Sequence, residues 1–409
     1  MAKLHPFPAW HPPADRAAAV ASVPYDVIDT EEARALAQGK PLSFLHVIRP
    51  EIDLPPETDI HADAVYAKGR ENLEKAIREV PFTQDAPSLY VYRLRMNGRD
   101  QTGVVGGCSI DEYDQDKIRK HERTRPDKED DRTRHVVEMQ CQAEPIFLAY
   151  RDREDVDRLV ARAMDAPPLY DFTAEDGVGH TVWRAPDAPA LVTAFGQVPL
   201  LYVADGHHRS ASASRARAHF RERNPHHTGD EEYNRVLATV FPAGQLQILP
   251  YNRLVTDLNG RSALEFLKVL GERFPLVPDV PPAPGKRGDF AVCVPQDSGL
   301  RWYGFHIPPG ALASVISALD VSLLQDQVLS PLLGIDDPRQ SKRIDFVGGI
   351  RGTSELEKRV REGRAAAAFS LHPTSLDELM AVADAGEIMP PKSTWFEPKL
   401  RSGLFLHRI

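Results

Sequence analysis

Hydrophobic and polar positions along this chain switch repeatedly between two periods, and the switches mark out its elements. The stretch before Asp59 is loop-rich. From Asp59 to Glu79, Ala62, Val65, Tyr66, Leu73 and Ile77, with Val80 just beyond, share one helical stripe. Ser88–Arg95 and Thr102–Ile110 read as strands on either side of Asn97-Gly98, a dipeptide suited to a tight hairpin turn. Between Arg119 and Arg134 the pattern gives way to a charge run, RKHERTRPDKEDDRTR, whose composition suits a solvated loop or helix face. Pro145–Tyr150 (PIFLAY) reads as a buried strand, Glu154–Met164 as a helix and His180–Arg184 as a short strand. The clearest unit follows. Leu200–Ala204 (LLYVA) is a compact apolar strand, Asp205-Gly206-His207-His208 a polar turn, and Arg209 to Arg223 a run of good helix formers.

Downstream, strands are predicted at Val236–Phe241 and Leu246–Val255. Helices are predicted at Leu264–Phe274, Leu319–Leu329, Ser354–Gly363 and Ser375–Ala385, with strands at Phe290–Val294, Trp302–His306 and Ala366–Leu371. The tail from Met389 reads as loop. Such alternation predicts a mixed α/β protein. The 409 residues suggest roughly two to three domains of about 150 residues each. Hydrophobic residues at 42% and charged residues at 27% exclude wholesale disorder and fibrous repeats.

A net charge of −9 argues against a constitutive nucleic-acid or anionic-membrane partner, yet leaves room for a local basic pocket. Cys108, Cys141 and Cys293 are odd in number and widely spaced, which speaks against a disulfide framework or a CxxC metal site. No apolar run approaches the ~18 residues of a membrane helix. Met1–Trp10 lacks the basic-then-apolar order of a secretory signal, so the cytoplasm is the expected compartment.

The candidate chemistry centres on Asp205–Arg209. A helix that starts directly after a glycine turn offers unpaired backbone N–H groups and the positive end of its dipole to a phosphate or carboxylate. Gly206 permits close backbone approach, and Arg209 is placed to fork onto the same anion. The alternative is a plain Asp N-cap with solvent-facing histidines. Asp205 is also a candidate Mg²⁺ ligand, although no HExxH or CxxC spacing supports a tight metal site. Upstream, Glu122 sits between His121 and several cations, which favour its ionised form. It is a candidate base for a substrate hydroxyl, with Arg132 and His135 nearby in sequence. Lys392-Ser393-Thr394, after two prolines, offers an ammonium and two hydroxyls to a phosphate. Walker A, GxGxxG and GxSxG patterns are absent from the sequence.

Five stretches taken together, PYDVI (Pro24–Ile28), HVIRPE (His46–Glu51), KHERT (Lys120–Thr124), ADGHHR (Ala204–Arg209) and MPPKSTWFEPK (Met389–Lys399), resemble a prokaryotic family catalogued as domain of unknown function 1015. The DGHHR turn also resembles the phosphate-binding box of the ParB and sulfiredoxin superfamily, which includes free-serine kinases. The resemblance implies a ParB/sulfiredoxin-like core at 116–258, an α/β region at 1–115 and a C-terminal α/β domain at 259–409. The tail at 389–399 is expected to return to the active site.

The implied activity is transfer of a phosphoryl group from ATP or ADP, with Mg²⁺, to the hydroxyl of free L-serine. Asp205, Gly206, His207, His208 and Arg209 would bind phosphate and metal. His121 and Glu122 would act on the hydroxyl, with Glu51 as the reserve base. Lys392, Ser393 and Thr394 would close on the nucleotide, and Arg49 or Arg132 would hold the amino-acid carboxylate. A nucleotide-binding module without transfer and a metal-dependent phosphatase are the competing readings.

Overall fold

The computed structural model describes residues 2–310 and 314–409, and the chain forms two compact units. Unit 1 comprises residues 1–246 together with 398–409, and unit 2 comprises 247–397. This division differs from the three expected regions. No boundary falls at 115/116, because Arg99–Ser109 pairs with Arg235–Pro242 in a single sheet. The tail also divides, its last twelve residues belonging to unit 1.

Among the described residues, unit 1 is built on a nine-stranded mixed sheet. Its order runs Ile118–Arg119, Leu201–Asp205, Ile146–Tyr150, Arg235–Pro242, Arg99–Ser109, Tyr90–Met96, Gly179–Arg184, Tyr170–Thr173, with Leu4–His5 also beside Arg99–Ser109. Two of these pairings are parallel, Leu201–Asp205 with Ile118–Arg119 and Arg235–Pro242 with Ile146–Tyr150. The expected hairpin is present, with Met96 opposite Arg99 and both Asn97 and Gly98 at positive φ. Its core gathers Leu148, Val203, Val240, Val104 and Val91 from five neighbouring strands.

The charge run departs from expectation. Pro126, which needs no N–H at the first helical turn, opens a helix at Pro126–Met139. This helix buries Asp131, Arg132, His135 and Met139 rather than exposing a fully solvated face. The loop-rich start also contains a helix at Thr30–Ala37, opened by a capping box between Asp29 and Glu32.

Unit 2 carries a six-stranded antiparallel sheet in the order Val277–Pro278, Gly299–His306, Asp289–Gln296, Ala367–Leu371, Tyr251–Val255, Ile344–Gly348. The single strand expected over Leu246–Val255 is broken at Pro250, which has no N–H to give a ladder. Gln247–Leu249 pairs instead with Trp395–Glu397 in the tail, where a loop was expected. The helix expected over Leu319–Leu329 starts at Asp320 and widens into a π turn at Gln325–Leu329.

Candidate functional site

Leu201–Asp205 ends in a β-bulge against Ile146–Tyr150, and Gly206 then takes φ 92°, a conformation that a side chain would strain. The helix His207–Arg223 begins at once, with no side-chain cap on its first turn. Asp205 is not the helix cap, because its Oδ1 accepts from the Gly206 N–H at 2.8 Å instead. The first-turn amides therefore stand with the dipole behind them and no side-chain acceptor in front, the arrangement that suits an oxyanion.

Arg209 lies beneath this turn with only 10% of its side chain exposed. Nη1 donates to the Pro145 carbonyl at 2.9 Å, Nη2 lies 3.8 Å from Asp26 Oδ2, and Nε is buried without a partner. Burial works against the charge, but Asp26, Asp205 and Glu144 outweigh it and raise the guanidinium pKa. Glu144 is raised in turn by burial, with Arg209 and Arg132 opposing, and its Oε1 accepts from the Tyr25 N–H at 3.2 Å. Arg132 stacks 4.1 Å from the Tyr25 ring centroid and places Nη1 4.0 Å from Glu144 and Nη2 2.7 Å from Asp131. Arg132, His135, Glu144 and Arg209 meet around a cavity of about 40 Å³, which has room for water but none for a nucleotide.

His121 and His207 meet edge to face at 4.4 Å, and the His121 N–H approaches His207 Nε2 at 3.5 Å. His121 is only 2% exposed and neither ring nitrogen has a hydrogen-bond partner. Burial drives its pKa well down, and burial likewise lowers His207 to about 3. Both are neutral imidazoles at neutral pH, so His121 is no ready proton donor. His208 Nε2 accepts from the Arg125 N–H at 3.1 Å, and burial lowers its pKa while Glu122 opposes the shift. Glu122 is exposed, in the loop between Ile118–Arg119 and Pro126–Met139, within electrostatic reach of His208.

Asp205 Oδ2 accepts from Lys399 Nζ at 2.7 Å. Burial works against its ionisation, but Lys399 and then Arg209 outweigh it, holding the carboxyl far below the usual carboxylate range. The expected metal role does not fit this donor set. Both Asp205 oxygens are engaged, an ammonium already neutralises the charge, and the described residues contain no group of three or more His, Cys, Asp or Glu placed around an ion.

The other expected residues divide in two. Arg49 Nε lies 2.9 Å from Glu51 Oε1, and Arg49 Nη2 donates to Thr30 Oγ1 at 3.0 Å, all in unit 1. Lys392, Ser393 and Thr394 belong to unit 2, whereas Lys399 from the same motif belongs to unit 1. A larger cleft of unit 1, about 500 Å³ and lined by Ser22, Lys40, Ser43 and Arg401 among others, includes no residue of the DGHHR turn. Sequence reasoning missed Asp26, Glu144 and Lys399. Asp26 and Lys399 stand inside quoted motifs, whereas Glu144 gives no signal beyond its place before a buried strand.

Residues 4–322 match the family model described as "Protein of unknown function (DUF1015)". The chain belongs to that family. No curated protein matches it. Among solved structures, SbnI with C-terminal truncation from Staphylococcus aureus is similar at 13% identity and a TM-score of 0.38, covering 72% of this chain and 82% of that one. A free serine kinase in complex with AMP is similar at 14% identity and a TM-score of 0.36, covering 74% and 91%. A conserved hypothetical protein from Pyrococcus furiosus is similar at 15% identity and a TM-score of 0.34, covering 74% and 95%. Among the described residues of this family member, no helix is long and apolar enough to cross a membrane.

Proposed function

We propose that this chain is a small-molecule kinase that transfers a phosphoryl group from ATP or ADP to the hydroxyl of free L-serine. The observation that carries the reading is the turn itself. Uncapped amides follow Gly206, and a nine-tenths-buried Arg209 beneath them keeps an unpartnered Nε. Phosphoryl transfer is mostly positioning and charge neutralisation, and these groups supply both.

In this reading the amides of His207 and His208 and the side chain of Arg209 hold the donor's phosphates. The serine oxygen attacks the terminal phosphorus, the bond to the bridging oxygen breaks, and ADP or AMP leaves. Glu122 takes the hydroxyl proton, with Glu51 in reserve. Arg49 and Arg132 are both candidates for the amino-acid carboxylate, each already lying against an acidic side chain, Glu51 and Asp131 respectively. His121 and His207 enter as neutral groups that shape the turn. Lys399 replaces Lys392 as the tail ammonium at the turn, and no step passes through a protein-held metal.

The test is incubation of the full chain with L-serine, Mg²⁺ and either ATP or ADP, followed by mass spectrometry. Formation of O-phosphoserine supports the kinase. Nucleotide binding with no product from any hydroxylated acceptor supports the binding module instead, and acceptor-independent phosphate release that EDTA abolishes supports the hydrolase.

A further inference from the structure

Unit 2 contains a buried cation that the proposed kinase site does not use. Arg253, in the strand Tyr251–Val255, is 4% exposed and stands opposite Phe346 on one neighbouring strand and Phe369 on the other. Its guanidinium lies 5.0 Å from the Phe346 ring centroid. Nη1 donates to two backbone carbonyls, that of Tyr251 and, at 3.1 Å, that of Lys392. No carboxylate among the described residues acts on it; burial lowers its pKa to about 10 and only Tyr251 opposes the shift. A buried arginine against a phenylalanine ring without a counter-charge is an unfavourable arrangement unless something negative completes it.

The tail brings a second cation to the same place. Lys392 has φ 60°, a left-handed conformation uncommon for a residue with a side chain. The turn is held by three bonds: Arg253 to the Lys392 carbonyl, Ser393 Oγ to the Pro390 carbonyl at 2.6 Å, and Thr374 Oγ1 to the Ser393 carbonyl at 3.1 Å. The Lys392 ammonium lies 5.3 Å from the Tyr251 ring centroid and 3.5 Å from its hydroxyl, again with no carboxylate partner among the described residues. Residues 390–394 are thus bonded into one shape, which sets the Lys392 ammonium at the Tyr251 hydroxyl and the Lys392 carbonyl on the buried Arg253 guanidinium.

We propose that unit 2 carries its own oxyanion site, in which the Arg253 guanidinium and the Lys392 ammonium bind a phosphoryl or carboxylate group beside Tyr251. The site goes beyond the kinase reading, which uses neither Arg253 nor, with Lys399 as its tail ammonium, Lys392. Arginine suits such a ligand because its planar fork matches paired oxygens, with lysine adding a point charge.

The Trp395 ring meets Tyr251 edge to face at 5.3 Å and supplies a local reporter. Inorganic phosphate and, separately, acetate are titrated into the full chain against chloride at matched ionic strength, following tryptophan fluorescence; Trp395→Phe identifies the part of the signal that comes from this site. The expected result is a saturable change that Trp395→Phe abolishes. Its midpoint should weaken about tenfold or more in Lys392→Ala, the loss of one charge-assisted contact, and the change should vanish in Arg253→Met. A response to phosphate alone assigns a phosphoryl group, and a response to acetate assigns a carboxylate.

Arg209→Lys should leave this midpoint unchanged, so failure of the kinase reading and failure of this site are separable. A response no larger than that to chloride overturns the proposal, as does a midpoint indifferent to Lys392→Ala. The lysine is exposed, so its variant decides the matter even where Arg253→Met does not fold.

Discussion

Arg209 in unit 1 and Arg253 in unit 2 are both buried arginines anchored to backbone carbonyls, yet their electrostatic surroundings are opposite. Asp26, Asp205 and Glu144 raise the pKa of Arg209, whereas no acidic residue among those described acts on Arg253, and burial lowers it. A buried charge is costly unless a partner charge or hydrogen bonds compensate it. Unit 1 thus holds a pre-neutralised network whose open positions are the helix amides and one Nε. Unit 2 holds a buried arginine bonded to the carbonyl of Lys392, whose ammonium lies at Tyr251, and neither cation has a carboxylate partner among the described residues. On the two proposals, a ligand phosphate would add to an assembled network in the first and supply the missing counter-charge in the second.

The comparison can be broken most severely at Glu122. Glu122→Gln should lower kcat by about 10² to 10⁴ and spare nucleotide affinity, since the proposal gives the carboxylate a role on the acceptor hydroxyl and not on the phosphates. Steady-state kinetics beside nucleotide calorimetry check this, and wild-type turnover would remove Glu122 from the mechanism. Next in size is Lys399→Met, which strips Asp205 of its ammonium. We expect a loss of about 2 kcal/mol in denaturant unfolding, largely recovered when Asp205→Asn is added; no recovery would mean that the lysine acts elsewhere.

The pH dependence of the two units should run in opposite directions. Burial holds His207 at about 3, with Asp205 opposing, and burial followed by Arg401 holds His180 at about 3. Between that value and the ordinary histidine range near 6.5, the unfolded chain binds protons that the folded chain does not. Unit 1 therefore loses stability as pH falls through that window, by about 1.4 kcal/mol per pH unit for each such histidine. In unit 2, burial raises Asp320 to about 6, so between the ordinary aspartate range and that value the folded chain binds the extra proton. Unit 2 gains stability from that group as pH falls from 7 towards 4. Amide hydrogen exchange at pH 7 and pH 5 distinguishes the two sheets, and parallel changes in both would contradict the assignment. The smallest expected effect is on the fold of Lys392→Ala, within about 0.5 kcal/mol of wild type as for an exposed residue; a larger drop in melting temperature would make the lysine structural.

Much of the local structure was legible in the sequence. Asn97-Gly98 marks its hairpin, and LLYVADGHHR marks strand, turn and helix, because each signal rests on residues adjacent in the chain. The Pro126–Met139 helix was hidden although Asp131, His135 and Met139 recur every four residues. Charged side chains do not read as a core stripe until their partners are known, and Asp131 finds Tyr66 from 65 residues away. The pairing of Lys399 with Asp205 spans 194 residues and left no trace in spacing. The two-unit division depends on the same return of the tail. Candidate chemistry was legible as residue types; which groups neutralise one another was not, since that is settled by tertiary contacts alone.

The most direct test of the central claim is calorimetric titration of ADP into the wild-type chain, Arg209→Lys and Arg209→Ala, with melting curves to verify folding. A phosphate cradle at the Gly206 turn predicts that ADP binding weakens about 30-fold or more in Arg209→Ala, the loss of one charged clamp, and by less in Arg209→Lys, which keeps the charge but not the fork. Equal affinity for ADP in all three folded proteins would contradict it.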